Sequence, residues 1–157
     1  MLARIICMIA CIAAIAGNSF ETSAQTTQNV RDDRMVSMPG TDSAGNPITI
    51  MAYKDGAVTV PPKFPGGDSA FMNYVNNTRE YPEEAYNQRI QGVITCQFLV
   101  DTNGEVKYVS LLKPKDANSL LVKEAIRILS TMPRWQPGML DGVPVKVRVT
   151  KRISFRR

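Results

Sequence analysis

The chain has 157 residues, 44% apolar and 21% charged, with a net charge of +5 and no histidine. That length holds one domain with a short surplus, and so balanced a composition excludes wholesale disorder. The basic excess is weak support for nucleic-acid binding, and the missing histidines remove the commonest general base and the commonest metal ligand together.

Residues 1–24 have the three-part form of a secretory signal: Arg4, an uncharged apolar run over residues 5–17, and Thr22-Ser23-Ala24 ahead of Gln25. Arg4 and Glu21 cancel, so cleavage leaves the charge unchanged. A helix over residues 5–17 would rise only about 20 Å, short of the ~30 Å hydrocarbon core, which weighs against an uncleaved membrane anchor. Ile9-Ala10-Cys11 is a third reading, a lipoprotein site, but its apolar lead-in is short. Cys7 and Cys11 depart with the leader, so Cys96 stands alone and reads as a small buried hydrophobe; a reactive thiol would lack a histidine partner.

Residues 25–57 are rich in Thr, Asp, Ser, Asn and Gln and read as a polar tether spanning roughly 30–35 Å as a random coil. Within it Ile48-Thr49-Ile50-Met51-Ala52-Tyr53 has strand composition, and Asp55-Gly56 followed by Ala57-Val58-Thr59-Val60 predicts a marginal hairpin. The compact domain is expected over residues 58–157. Pro61-Pro62-Lys63-Phe64-Pro65-Gly66-Gly67 predicts a shaped loop, with Asp68 as N-cap of a helix over residues 69–77. Tyr81-Pro82-Glu83-Glu84-Ala85 predicts a short helix with proline at its first position and acids in its first turn.

Ile94, Cys96, Phe98 and Val100 alternate with Thr95, Gln97 and Leu99, and Asp101-Thr102-Asn103-Gly104 turns the chain into a second strand over residues 106–112. Residues 119–131 predict a helix with Leu121, Ala125, Ile128, Leu129 and Met132 on its inner face, ended by Pro133. In residues 143–155, Val143, Val145, Val147, Val149, Ile153 and Phe155 alternate with polar residues, and only Lys151 breaks the pattern. Such a run, about 40 Å if extended, exceeds the usual 17–20 Å strand, so part of it should overhang its neighbours with unpaired N–H and C=O groups.

This order of elements resembles the C-terminal domain of TonB, the energy transducer of Gram-negative bacteria, in its Bacteroidetes-type form. The likeness rests on Phe64-Pro65-Gly66-Gly67, Tyr81-Pro82-Glu83-Glu84-Ala85, Ile90-Gln91-Gly92, residues 100–106, Met132-Pro133-Arg134-Trp135-Gln136-Pro137-Gly138 and Gly142-Val143-Pro144-Val145. It covers about residues 58–157. It implies an α+β fold of about three antiparallel strands with two helices packed on one face. It further implies capture of the TonB box, an extended peptide of outer-membrane TonB-dependent transporters, as a strand added beside residues 143–155. The edge residues would be Val145, Lys146, Val147, Arg148, Val149, Thr150 and Lys151, with Lys146, Arg148 and Lys151 favouring an acidic peptide. Family transducers also have a full transmembrane helix, which meets membrane-bound motor proteins, and a Pro-rich span. The leader here is too short to span and the tether has no Pro-Lys or Pro-Glu repeats, so a periplasmic module accessory to a membrane-bound transducer is expected.

The bland readings weigh against other sites. Trp135 with Pro137-Gly138 reads as a core aromatic beside a turn, and Gly66-Gly67 as loop-shaping, since Asp68 would repel an anion there. Glu83 and Glu84 point apart on a helix and read as dipole partners rather than an acid–base pair. No cofactor, metal site, catalytic residue or nucleic-acid partner is expected. An envelope-protein or peptidoglycan-binding domain that kept the fold is the alternative function, and a hydrolase or transferase ranks last. An overhanging strand also permits exchanged-strand homodimers.

Overall fold

Residues 33–156 are described by the computed structural model. Strands β1 (Met35–Thr41) and β2 (Pro47–Lys54) form a hairpin, followed by a 3-10 turn at Asp55–Ala57. Then come helices α1 (Gly67–Thr78) and α2 (Glu83–Asn87), strands β3 (Gly92–Val100) and β4 (Val106–Lys113), and helix α3 (Ser119–Ser130). Strands β5 (Gly138–Leu140), β6 (Val143–Val145) and β7 (Val147–Phe155) complete the chain. The main sheet has five strands in the order β1-β2-β7-β3-β4, and β5-β6 form a separate two-stranded ribbon. The leader over residues 1–24 lies outside the described residues.

The expected α+β class holds, but the sheet is larger than the expected three antiparallel strands. The β4-β3-β7 meander is antiparallel, with β3 and β7 paired along their whole length from Gly92↔Phe155 to Val100↔Val147. The other two strands come from the segment read as tether. A hairpin does form there, but Ile48 to Tyr53 pair backwards, with Met35–Thr41, rather than forwards with residues 57–60. The reason is local: Asp42 turns the chain, its carboxylate accepting from the N–H groups of Ala44 and Asn46 and from the Asn46 side chain. Asp55-Gly56, by contrast, opens the 3-10 turn. Pairing between β2 and β7 is parallel and limited to Tyr53↔Val147 and Lys54↔Arg148.

One face of the sheet carries the main core, where Ile94, Cys96, Phe98, Val100, Val147, Val149, Ile153 and Phe155 meet Phe71 and Val75 of α1 and Leu121, Ala125, Ile128 and Leu129 of α3. The inner face expected for α3 is observed, with Met132 only half-buried, and the Asn118 side chain caps the helix by accepting from the Leu120 N–H. On the opposite face Met38, Ile50 and Ala52 of the hairpin cover Leu99, with Tyr108 alongside. Strand β3 is therefore buried on both faces, although its sequence alternates.

Two helix starts differ from expectation. Gly66, at φ 84°, occupies the N-cap of α1, and Asp68 falls inside its first turn, because a residue with no Cβ enters the left-handed region without strain. Pro82 is the N-cap of α2 rather than its first residue. The long run of residues 143–155 is also divided. Asp141 and Gly142 both take positive φ, folding β6 back on β5, so the run changes partners at Lys146.

Candidate functional site

Strand β7 has one flank sealed by β3 and another only partly covered. Covering begins at Lys146, whose carbonyl accepts from the Tyr53 N–H at 2.9 Å, and extends through Arg148. The chain then leaves through the Asp55–Ala57 turn. Beyond Arg148 no strand pairs with this side of β7 among the described residues. The carbonyls of Lys146 and Ser154 both face outward, one toward Tyr53 and the other toward Arg79. Main-chain groups alternate sides along a strand, so the N–H and C=O of Thr150 and Arg152 face outward too. The open stretch from Thr150 to Ser154 is about 14 Å at ~3.4 Å per residue.

The expected edge residues separate into groups. Val145 belongs to β6 and pairs with Gly138, while the Lys146 carbonyl, Val147 and Arg148 are engaged by β2. Only Val149, Thr150 and Lys151 fall on the open part, and Val149 turns its side chain into the core. Arg152 and Ser154, which extend that flank, were not anticipated. Nor was Arg79, whose guanidinium donates to the Ser154 carbonyl at 2.7 Å. A visible clue was the strand composition of residues 48–53; nothing in it announced a parallel partner 94 residues on, at Tyr53↔Val147.

Each end of the open flank adjoins a hollow. At the β2 end, one of about 420 Å³ is lined by Asp55, Pro61, Pro62, Phe64, Asp68 and Lys151, among others. Lys151 is the pattern-breaking residue, and its position on the core face is explained by where its ammonium goes. It lies 5.2 Å from the Phe71 ring centroid and 5.8 Å from that of Trp135, and reaches Asp68 Oδ1 at 3.0 Å. The hydrogen bond from Lys151, then its charge, holds the Asp68 carboxyl below its ordinary range. Burial pushes the Asp55 carboxyl up against the opposing pull of Lys151. At the other end, a hollow of about 210 Å³ lies between α1 and residues 152–156.

The motif residues hold this edge in place. Phe64 meets Phe71 and Trp135 edge-on at 5.7 Å each, and Trp135 meets Phe98 at 5.4 Å, so the indole is core, as expected. Pro65, Gly66 and Gly67 form the turn into α1, closed by the Gly67 N–H on the Phe64 carbonyl. Tyr81 packs edge-on against Phe155 and donates its hydroxyl to the Ile90 carbonyl. Pro137 leads into Gly138, where an added Cβ would come within 2.5 Å of Val147. Gly104 takes φ 81° and its carbonyl accepts from the Trp135 N–H, tying the β3–β4 turn to the aromatic cluster.

Chemistry of the other candidates is unpromising. Cys96 is fully buried and its thiol is pushed up to about 11 by desolvation, which leaves it protonated at neutral pH. Glu83 and Glu84 are exposed in the first turn of α2. Among the described residues no group of three metal-ligating side chains occurs, and no helix is long and apolar enough to cross a membrane. A family model described as "Gram-negative bacterial TonB protein C-terminal" matches residues 77–156. A search of curated proteins returned no match to the chain.

Proposed function

The chain belongs to the family of Gram-negative bacterial TonB protein C-terminal domains, and on that premise we propose that it is a periplasmic binding module capturing an extended peptide of outer-membrane TonB-dependent transporters by strand addition. Membership supports a part in transport-related interaction rather than catalysis. One observation carries the docking mode: beyond Arg148 the outer flank of β7 has no strand partner among the described residues. A guest would pair with Thr150 and Arg152, a site shifted toward the C-terminus from Val145, Lys146, Val147 and Arg148. Export through the leader of residues 1–24 would deliver the module to the periplasm, where it would act beside a membrane-bound transducer.

Titrating the full chain with a transporter's periplasmic N-terminal peptide by calorimetry tests this. Thr150→Pro removes an outward N–H while leaving the β3–β7 ladder intact. Peptide binding is expected to weaken about tenfold or more, the loss of one or two ladder hydrogen bonds, with the thermal midpoint little changed. Undiminished binding by a folded Thr150→Pro protein overturns strand addition at this flank.

A further inference from the structure

The sheet face turned away from α1 and α3 is covered by the hairpin only around Leu99 and Tyr108. Thr95 lies between the core residues Ile94 and Cys96, so its side chain leaves β3 on this outer face. In register it is flanked by Lys113 of β4 on one side and by Arg152 of β7 on the other. Neighbouring strands lie ~4.8 Å apart, so the two cations start from Cα atoms ~10 Å apart with a hydroxyl between them. Together with Val93 and Pro114 these three residues line a hollow of about 350 Å³, with no carboxylate among its lining residues. Thr95, 5% exposed, lies at its floor, while Lys113 and Arg152 are exposed at its rim. Among the described residues neither cation takes part in an ion pair, although Lys107, Arg127, Arg134 and Lys151 all do. The next row toward the hairpin is satisfied internally, Gln97 donating to the Ser110 hydroxyl at 3.3 Å. On the other side, opposite Val93, Ser154 Oγ is buried with no hydrogen-bond partner.

We propose that this row is a seat for a phosphate group, which Arg152 and Lys113 hold from either side while the Thr95 hydroxyl donates from below. The site goes beyond peptide capture and does not depend on it. Two like charges facing one hollow repel each other, and an anion seated between them turns that repulsion into attraction. A phosphate monoester carries about −1.5 to −2 at neutral pH, which matches the two cations, and it offers three acceptor oxygens to the three donors. The guanidinium takes two oxygens as a fork and the ammonium a third as a point charge. A carboxylate has only two oxygens, in one plane, and leaves one donor of the row unused. The ligand class is therefore a phosphate monoester, free in solution or carried on a lipid.

The test titrates inorganic phosphate into the full chain at low salt, followed through the amide shifts of β3, and sediments the chain with vesicles of phosphatidate in phosphatidylcholine. Lys113→Gln/Arg152→Gln is expected to weaken phosphate binding about tenfold or more, and Thr95→Val, which replaces the hydroxyl with a methyl, about fivefold. Lys63→Gln/Lys123→Gln removes the same charge from exposed positions elsewhere and is expected to bind as wild type does. Equal weakening by that control would mean attraction to net charge alone and overturns the proposal. Acetate competing as well as phosphate at matched ionic strength also overturns it, as does a wild type that binds no phosphate. Phosphate bound with vesicles left unbound assigns the seat to a soluble monoester. Vesicles bound by wild type and released by Lys113→Gln/Arg152→Gln assign it to a lipid headgroup. Should Thr95→Val fail to fold, the double variant, altered only at exposed residues, decides the matter.

Discussion

Glu124 sits on the buried side of α3 at 7% exposure, an unusual place for a carboxylate. Both oxygens are engaged: Oε1 accepts from the Glu80 N–H and from Arg127 Nη2, and Oε2 from Arg127 Nε. Burial pushes its carboxyl up, but hydrogen bonds from Arg127 and from the Glu80 N–H outweigh that and hold it below its ordinary value of 4.5. A depressed folded pKa contributes stability that is fully present above the unfolded value and is lost as pH falls through the folded one. Glu124→Gln should therefore cost about 1–3 kcal/mol at pH 7, and the gap to wild type should close as denaturation is repeated at progressively more acidic pH below 4.5. A pH-independent gap would mean the carboxylate's charge contributes nothing. Read as a helical period, the sequence places this residue only beside the apolar stripe; Arg127, which also holds the Thr78 carbonyl, is what makes the burial tolerable.

Elements show where local pattern suffices and where it fails. Helix α3 and the β3–β4 hairpin were legible because their periods and their Asn-Gly turn are local signals. The β1–β2 hairpin was half legible, since residues 48–53 look like a strand while Met35–Thr41, with its Pro39 and Gly40, does not. Its burial depends on Leu99 and Tyr108, which lie far along the chain. Distance in sequence also hid the parallel contact that occupies Lys146, Val147 and Arg148. That contact competes with any guest wanting a longer flank. Tyr53→Pro deletes the N–H given to Lys146 and should free this stretch, tightening peptide binding roughly fivefold if the bond is worth about 1 kcal/mol net. Tyr53→Ala, which keeps the N–H, is the control in the same titration. Equal affinities for the two variants would show that β2 does not compete.

Across the whole molecule, stability should be graded. Strands β3 and β7 are joined by nine register pairs and buried beneath α1 and α3, whereas the hairpin is joined to the rest of the sheet by two register pairs with β7 and one small apolar cluster over Leu99 and Tyr108. Amide exchange should thus show inward-facing amides such as those of Val149 and Lys151 opening only with global unfolding, and β1–β2 amides opening at distinctly lower free energy. Uniform protection across both regions would contradict this grading. The candidate site follows the same division: its inner half was legible from alternating valines, while the groups that bound it, Asp55, Arg79 and the end of β2, come from loops and helices that periodicity does not connect to the final strand.

Trp135 is the sole tryptophan of the chain, and the Lys151 ammonium sits 5.8 Å from its ring centroid. Indole emission responds to a nearby charge, and this charge is carried by the very strand on which a guest would lie. A guest that displaced that ammonium or its Asp68 counter-ion would change the emission. Occupancy would then be readable from the protein's own indole, without any attached dye.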